Sequence, residues 1–232
     1  GASAFLENTS DDTIKIRLNK DISNLYRYRY TIAHEIGHIA IRNKINKQFS
    51  ENEENLIHKY HFEEETLCQF AASELLLPEE SFLPFILEKS INPQLINVLS
   101  KKFQVSVISV LNRIAYLLPN HAAIYWNYRS TANSNIKALR VSWIFPKPQL
   151  KKVPFVPIDA SAKNDRFTPN LFMQSFKNTK SVYGHTNVNN FGSITGSMTV
   201  CTINPREDNT LFPLGEFEKK TGQFDLYSLV KY

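Results

Sequence analysis

Two histidines and one glutamate lie within five residues of each other in the otherwise apolar segment YTIAHEIGHIAI, residues 30–41. On a helix, His34 and His38 are four residues apart and so differ by about 40° in direction and about 6 Å in height. Two imidazoles placed in this way can hold one metal ion. Glu35 is rotated by about 100° from His34 and can instead reach a water molecule on that ion. The spacing predicts metal-assisted hydrolysis, with His34 and His38 as ligands and Glu35 as general base.

The other residues of this segment also favour a metal site over an ordinary amphipathic helix. A pair of histidines on a solvated face would be flanked by Lys, Glu or Gln, and Glu35 is the one charged residue in the segment. Ile32, Ile36 and Ile39 form a stripe opposite the histidines, which predicts that the isoleucine face is buried in a core. Gly37 costs about 1 kcal/mol relative to alanine in a helix interior. We therefore expect something to approach the backbone closely at Gly37.

A third metal ligand is expected because a catalytic zinc site has three protein ligands and one open position. The segment EEETLCQFAASELLLP offers Glu63, Glu64 and Glu65 at the start of a second predicted helix. Helical phase places Glu65 above a row of small residues and Glu64 above a nearly equivalent row. Phase alone leaves the choice between them open. A solvated acidic first turn accounts for two of the three residues.

The elements that must position these residues can be traced along the chain. Alternating apolar residues predict a strand at 14–18, and apolar periodicity predicts helices at about 24–43 and 62–77. A further helical stretch at 82–89 is expected to be interrupted by Pro84. Two more helices follow, the first starting near Pro93 and the second capped by Ser106. After Pro119, aromatic and β-branched runs predict strands. The sequence thus predicts an α+β fold, with a helical HExxH core and a small β-sheet at 1–120 and a strand-rich C-terminal domain at 121–232.

Composition limits the classes of protein that this chain can represent. It has 232 residues, a net charge of +5 and two cysteines, Cys68 and Cys201. The basic residues are scattered, which favours a generally cationic surface over a nucleic-acid groove. The cysteines form no CxxC pair, which is typical of a reducing compartment and predicts a cytoplasmic location. No apolar run approaches the ~20 residues that span a bilayer. The chain starts at Gly1 rather than Met, which is compatible with a preceding segment.

At this point two segments, YRYTIAHEIGHIAI and FAASELLLP, resemble the ImmA/IrrE family of bacterial metallopeptidases. The family reads roughly R-F-T-x-A-H-E-x-G-H, followed by E-x-x-A-x-x-F-A-x-x-L-L-x-P. Aligned on Pro78 without gaps, the metal-binding glutamate of the family falls on Glu65. Cys68 then takes the alanine position and Ala71 the phenylalanine position. The segment LSKKFQVSVISVLNRIAYL is also similar, so the resemblance covers about residues 1–118.

The resemblance implies a zinc-dependent endopeptidase with a gluzincin-like site formed by His34, His38 and Glu65. A His₂Glu donor set also accepts Mn²⁺ or Fe²⁺. The resemblance further implies a protein substrate, typically a helix-turn-helix repressor or an antitoxin. Such substrates are cut to switch on genes of stress responses, prophages or mobile elements. For the second donor to a tetrahedral oxyanion, Tyr183, His185 and His121 are the candidates from the C-terminal domain.

Two other interpretations compete with the peptidase. The segment FQVSVISVLNRIAYL is similar to the turn and recognition helix of a DNA-binding motif. Arg113 is nearly the only basic residue on that helix, whereas a recognition helix exposes several polar side chains. We therefore do not expect direct nucleic-acid binding.

The other alternative is a partner-binding regulatory module with a structural or vestigial metal site, although such a site has no use for Glu35 as a base. Oligomeric state and activating signal are not readable from the residues.

Overall fold

The protein is described here from a computed structural model, which covers residues 4–8, 13–20, 22, 24–48, 61–131, 134–146, 156–161, 167–168, 171–207 and 224–232. The chain forms two compact units. The first comprises residues 1–82 and 103–105, and the second comprises residues 83–102 and 106–232. The fold is α+β with a strand-rich C-terminal part, as the sequence predicts. The proposed division at residue 120 falls inside the second unit and stays a prediction about the roles of the two parts.

The first unit contains a two-stranded sheet and two long helices. Strands β1 (Ala4–Asn8) and β2 (Ile14–Leu18) pair antiparallel. Helix α1 runs over Leu25–Gln48 and helix α2 over His61–Leu76. The side chain of Asn24 caps α1, because its Oδ1 accepts hydrogen bonds from the backbone N–H groups of Tyr26 (2.8 Å) and Arg27 (3.1 Å). The cap fixes where α1 begins and hence where its histidines lie.

Close packing between α1 and α2 explains the glycine inside the HExxH segment. A Cβ atom added at Gly37 would lie 3.1 Å from the Cα of Cys68 and 3.3 Å from the Cβ of Ala71. The predicted close approach is thus confirmed, and the approaching segment is α2. The expectation of a buried isoleucine face is wrong, because Ile36 is 41% exposed. The face that carries Gly37 and His38 is the one that packs, because both residues are buried and α2 approaches the backbone closely at Gly37.

Three shorter helices follow α2 in the sequence. They are α3 (Glu79–Leu87), α4 (Pro93–Phe103) and α5 (Val107–Leu117). Pro84 lies inside α3 and does not interrupt it, so the expected break at this residue is wrong. Proline removes one N–H donor, and here the side chain is exposed, so a single lost bond is tolerated. Ser106 caps α5 as predicted, with its Oγ accepting from the N–H of Ser109 at 3.1 Å.

Among the described residues of the second unit, six antiparallel strands form one sheet. Its strands lie in the order β4-β3-β8-β7-β6-β5. They span His121–Thr131 (β3), Ser134–Phe145 (β4), Phe167–Thr168 (β5), Val182–Phe191 (β6), Ile194–Ile203 (β7) and Leu226–Lys231 (β8). Helix α6 (Leu171–Asn178) supplies Leu171, Phe172 and Met173 to the core on one face of the sheet. Trp126 is fully buried in that core and donates a hydrogen bond from Nε1 to Ser228 Oγ at 2.9 Å.

None of the helices among the described residues combines the length and hydrophobicity that crossing a bilayer requires.

Candidate metal centre

The three metal ligands expected from the sequence meet between α1 and α2. Nε2 of His34 lies 3.2 Å from one carboxylate oxygen of Glu65, and Nε2 of His38 lies 3.2 Å from the other. Helix α1 directs both imidazoles to one side because they are one turn apart, and Glu65 lies in the second turn of α2. The ligand atoms of His34, His38 and Glu65 all lie within 4.8 Å of one another.

The chemistry of this donor set fits a divalent metal ion. Two imidazole nitrogens and one carboxylate are the donors found in one class of catalytic zinc site. The side chains of His34 and His38 are 18% and 10% exposed, whereas that of Glu65 is 34% exposed. The centre is therefore shielded along α1 and accessible at Glu65. That combination suits an ion which keeps one position for water or substrate.

A second carboxylate, that of Glu64, orients His38 through Nδ1, the ring nitrogen that does not face Glu65. Glu64 is buried, and its Oε1 lies 2.8 Å from Nδ1 of His38. The same oxygen accepts a hydrogen bond from Nε of Arg42 at 3.1 Å. A carboxylate on Nδ1 selects the tautomer in which Nδ1 carries the proton, which leaves the Nε2 lone pair for a metal ion. Glu64 thus fixes both the orientation and the tautomer of His38, which is a candidate metal ligand.

Electrostatics show that Glu64 is held as a carboxylate. Burial acts to raise its pKa, but the hydrogen bonds from His38 and Arg42 and the charges of these two residues together lower the pKa below its usual range. A neighbouring ionised glutamate strengthens the imidazole of His38 as a ligand. The charge of Arg42 would therefore act on an ion at this candidate site through Glu64.

A second group of possible ligands, formed by His38, Glu64 and Cys68, overlaps the first one. In the metal-free protein, burial, followed by the charges of Glu64 and Glu65, raises the pKa of the Cys68 thiol to about 12. Glu64 is already hydrogen-bonded to His38 and paired with the cation Arg42. The chemistry therefore favours the site of His34, His38 and Glu65.

Glu35 lies on α1 between the two histidines and is half-buried. It is not part of either group of possible ligands among the described residues, which leaves its carboxylate available as a general base.

Tyr30 stacks on His34 with 6.2 Å between the ring centroids. Burial, with the charge of Glu65 next, raises the pKa of Tyr30, so its hydroxyl stays protonated. Nδ1 of His34 is buried and has no hydrogen-bond partner among the residues described.

The structure separates the three acidic residues that helical phase could not. Glu65 faces both histidines at Nε2, Glu64 faces His38 at Nδ1, and Glu63 is exposed. The expectation that two of the three form a solvated turn is therefore wrong for Glu64. Sequence reasoning also missed Arg42. The available signal was its spacing, because Arg42 is one helical turn beyond His38 and so can reach a group that His38 contacts.

The three candidates for an oxyanion donor lie together in the second unit. Tyr183 and His185 are on β6, with 5.9 Å between their ring centroids, and His121 begins β3. They line one cavity, whose other walls also belong to the second unit. Their assignment to the hydrolytic reaction stays a prediction, since the metal ligands belong to the first unit.

Comparison with known proteins gives three findings. The model of the IrrE N-terminal-like domain family, peptidase family M78, matches residues 4–115. A solved structure titled "Mycobacterium tuberculosis transcriptional regulator" is similar, with a TM-score of 0.50 and 13% sequence identity. The similarity covers 99% of this chain and 61% of that one, so the chain spans about three-fifths of its length and shares its fold. No curated protein sequence matches the chain.

Proposed function

We propose that this chain is a zinc-dependent endopeptidase of the IrrE N-terminal-like family of M78 peptidases, whose model matches residues 4–115. One observation carries the proposal. Nε2 of His34 and Nε2 of His38 each lie 3.2 Å from a carboxylate oxygen of Glu65, beside an uncommitted Glu35. A purely structural metal site has no use for a carboxylate at Glu35, so the arrangement favours hydrolysis.

The residues around the centre divide the work of peptide hydrolysis. A bound zinc ion would supply Lewis acidity and bring the pKa of a coordinated water toward ~7. His34, His38 and Glu65 would hold the ion, and Glu64 with Arg42 would keep His38 in the tautomer that leaves Nε2 for it. Glu35 accepts a proton from the attacking water and delivers it to the leaving amine. Glu35 lies on the same helix as His34 and His38, so α1 would carry the base and two of the three ligands, while α2 would carry the third ligand, Glu65.

The proposed substrate is a protein, most specifically a helix-turn-helix repressor or an antitoxin. The motifs shared with the ImmA/IrrE family support this substrate class, and cleavage would act in bacterial stress, phage or mobile-element regulation. Such substrates are encountered in the cytoplasm, which is the compartment we propose. The DNA-binding alternative has less support. Helix α5 does not resemble a recognition helix, because Arg113 is 2% exposed and the helix buries Val110, Leu111 and Ile114.

Metal content is the first test of the proposal. The wild-type protein and the variants Glu35→Gln, Glu65→Ala and Glu63→Ala are purified, supplied with zinc, dialysed and analysed by mass spectrometry. We expect about one zinc per chain in the wild type, Glu35→Gln and Glu63→Ala, and loss of zinc in Glu65→Ala. Glu63→Ala is the matched control, because Glu63 is exposed two residues away. A wild type that stays free of metal would overturn the proposal.

Cleavage is the second test, and it separates a peptidase from a regulator with a structural metal. Zinc-loaded wild type and Glu35→Gln are incubated with a bacterial lysate, and new protein N-termini are identified by mass spectrometry. We expect N-termini that the wild type generates and Glu35→Gln does not. If both proteins bind zinc but generate the same N-termini, the regulatory module with a structural metal becomes the better description.

A further inference from the structure

A cavity of about 570 Å³ lies within the second compact unit, against the sheet face opposite α6. Its walls are the end of α3 with the loop that follows, the chain just after α5, and strands β3, β6, β7 and β8. This volume is in the range of small-molecule sites, roughly 300–1,000 Å³. No residue of the proposed metal centre is among its lining residues. The cavity therefore needs an explanation of its own.

A row of four polar side chains crosses the sheet at this cavity. His185 on β6 is paired with Thr199 on β7, Thr199 with Lys231 on β8, and Lys231 with His121 on β3. Residues directly opposite each other on neighbouring strands share a face and lie about 4.5–5.5 Å apart. All four line the cavity. The register thus brings together residues from four separate parts of the sequence.

Hydrogen bonds fix the orientation of both imidazoles in this row. Nδ1 of His185 lies 2.9 Å from Oγ1 of Thr199, and Nδ1 of His121 lies 2.8 Å from the carbonyl oxygen of Pro119. Since a carbonyl only accepts, Nδ1 of His121 is the donor in that bond. His121 is 8% exposed, so it forms the inner end of the row. His185 and Lys231 are exposed and form its accessible part.

The lining combines positive charge with an apolar wall. Lys89 joins Lys231 at the cavity, and the carboxylate in the lining is that of Glu88. Two lysines therefore outnumber one glutamate, and the imidazoles and the Thr199 hydroxyl add polar groups that can bond a ligand. The apolar contribution comes from residues at the rim and floor, namely Ile86, Leu87, Ile91, Leu118 and Leu229. Cationic donors beside an apolar surface are complementary to a molecule with an anionic group on an apolar body.

We infer that this cavity is a binding site for a small organic anion, a carboxylate or a phosphate ester carried on an apolar body. The anionic group lies along the row and accepts from Lys231 and His185. The apolar body lies against Leu118 and Leu229. This inference does not rest on the proposed peptidase function, and it gives His185 a role in anion binding that is separate from its candidacy as an oxyanion donor.

Three simple probes test the site in the 232-residue chain. Benzoate, phenyl phosphate and the uncharged benzamide are titrated into ¹⁵N-labelled protein, and amide chemical shifts are followed. The titrations use chelator-treated protein, so that an anion bound to a metal ion cannot contribute. We expect benzoate or phenyl phosphate to bind with a Kd on the order of 1 mM, with shifts at the amides of His185, Thr199 and Lys231. Benzamide should bind at least about tenfold more weakly, because it lacks the charge-assisted bonds.

Matched variants separate a specific site from general surface charge. Lys231→Gln and His185→Gln should each weaken anion binding by about three- to tenfold. Lys137→Gln removes the same charge from an exposed position on β4 outside the cavity and should leave binding unchanged. Circular dichroism establishes that all variants fold. Equal binding of benzamide and the anions would overturn the inference, as would an equal loss of affinity in Lys137→Gln and Lys231→Gln.

Discussion

At the residue scale, a single oxygen of Glu64 joins the imidazole of His38 to the guanidinium of Arg42. Removing its charge should weaken metal binding without removing a ligand. We expect Glu64→Gln to lower zinc affinity by about 10- to 100-fold, as loss of a carboxylate behind a ligating histidine does. Competition with a chromophoric chelator measures the change. Glu63→Gln is the control, and equal affinities in the two variants would show that Glu64 does not support His38.

The lowered pKa of Glu64 also predicts how stability depends on pH in the metal-free protein. A carboxyl group whose pKa is lower in the folded state stabilises the fold above its unfolded-state pKa, and this contribution is lost as pH falls through the folded-state pKa. The ordinary value for the glutamate is 4.5. The free energy of unfolding of the wild type should therefore exceed that of Glu64→Gln above this pH, and the difference should shrink below it.

Urea denaturation between about pH 5 and pH 3 measures that difference, in a range where histidines stay protonated. Glu63 is exposed, so the difference between the wild type and Glu63→Gln should not shrink in the same way. If the free energies of unfolding of the wild type and Glu64→Gln differ by a constant amount over the whole pH range, the lowered pKa of Glu64 does not contribute to stability.

At the scale of elements, the spacing between α1 and α2 depends on the missing side chain at Gly37. Alanine usually stabilises a helix interior by about 1 kcal/mol relative to glycine. Here its Cβ would lie 3.1 Å from the Cα of Cys68 and 3.3 Å from the Cys68 carbonyl oxygen, both backbone atoms that cannot rotate away. We expect Gly37→Ala to destabilise the protein by about 1–3 kcal/mol through overpacking.

The same change should separate the histidines of α1 from Glu65 on α2 and so lower metal affinity as well. Denaturant titration measures the stability change, and chelator competition measures the affinity. Ala40 is exposed on the same helix, and Ala40→Gly should cost about 1 kcal/mol while leaving zinc affinity intact. A stabilised Gly37→Ala protein would show that α2 shifts without cost.

How far the sequence predicts these elements depends on whether the signal is local. The cap at Ser106 and the glycine at residue 37 reflect contacts along one helix or against its backbone, and the structure agrees with both. The HExxH spacing is equally local, because it places both imidazoles on one side of α1. The isoleucine stripe led to a wrong prediction because periodicity defines a face without saying what covers it. Glu64 and Glu65 are adjacent in sequence, so only the positions of both helices determine which oxygen meets which nitrogen.

At the scale of the whole molecule, α5 and the large sheet belong to one compact unit, although the sequence places a change of character between them. Helix α5 buries apolar residues, and the hydroxyl of Tyr125 on β3 donates to Oδ1 of Asn112 on α5 at 2.6 Å. Burying one such aliphatic side chain contributes about 1.5–3 kcal/mol. A fragment ending at residue 120 should therefore expose this surface, self-associate and unfold without a sharp transition.

Size-exclusion chromatography and denaturant titration of the fragment, compared with the full chain, measure both effects. A monomeric fragment with a sharp unfolding transition would instead support an independent domain at 1–120.

The sequence could not reveal the strand order of the large sheet, because the pairing of β3 with β8 joins residues about a hundred positions apart. Such pairings depend on register across the sheet, and no local pattern encodes them.

The alternation along β7 has a consequence for how this protein can change over generations. Met198 and Val200 are fully buried in the core, and the intervening Thr199 together with Cys201 lines the cavity. Deleting one residue from this strand would exchange the two sets, placing methionine and valine in the cavity and a hydroxyl in the core. We therefore expect a one-residue insertion or deletion in β7 to destabilise the core as well as change the cavity. We therefore expect the cavity lining on β7 to change through single substitutions at cavity-facing positions such as Thr199 and Cys201.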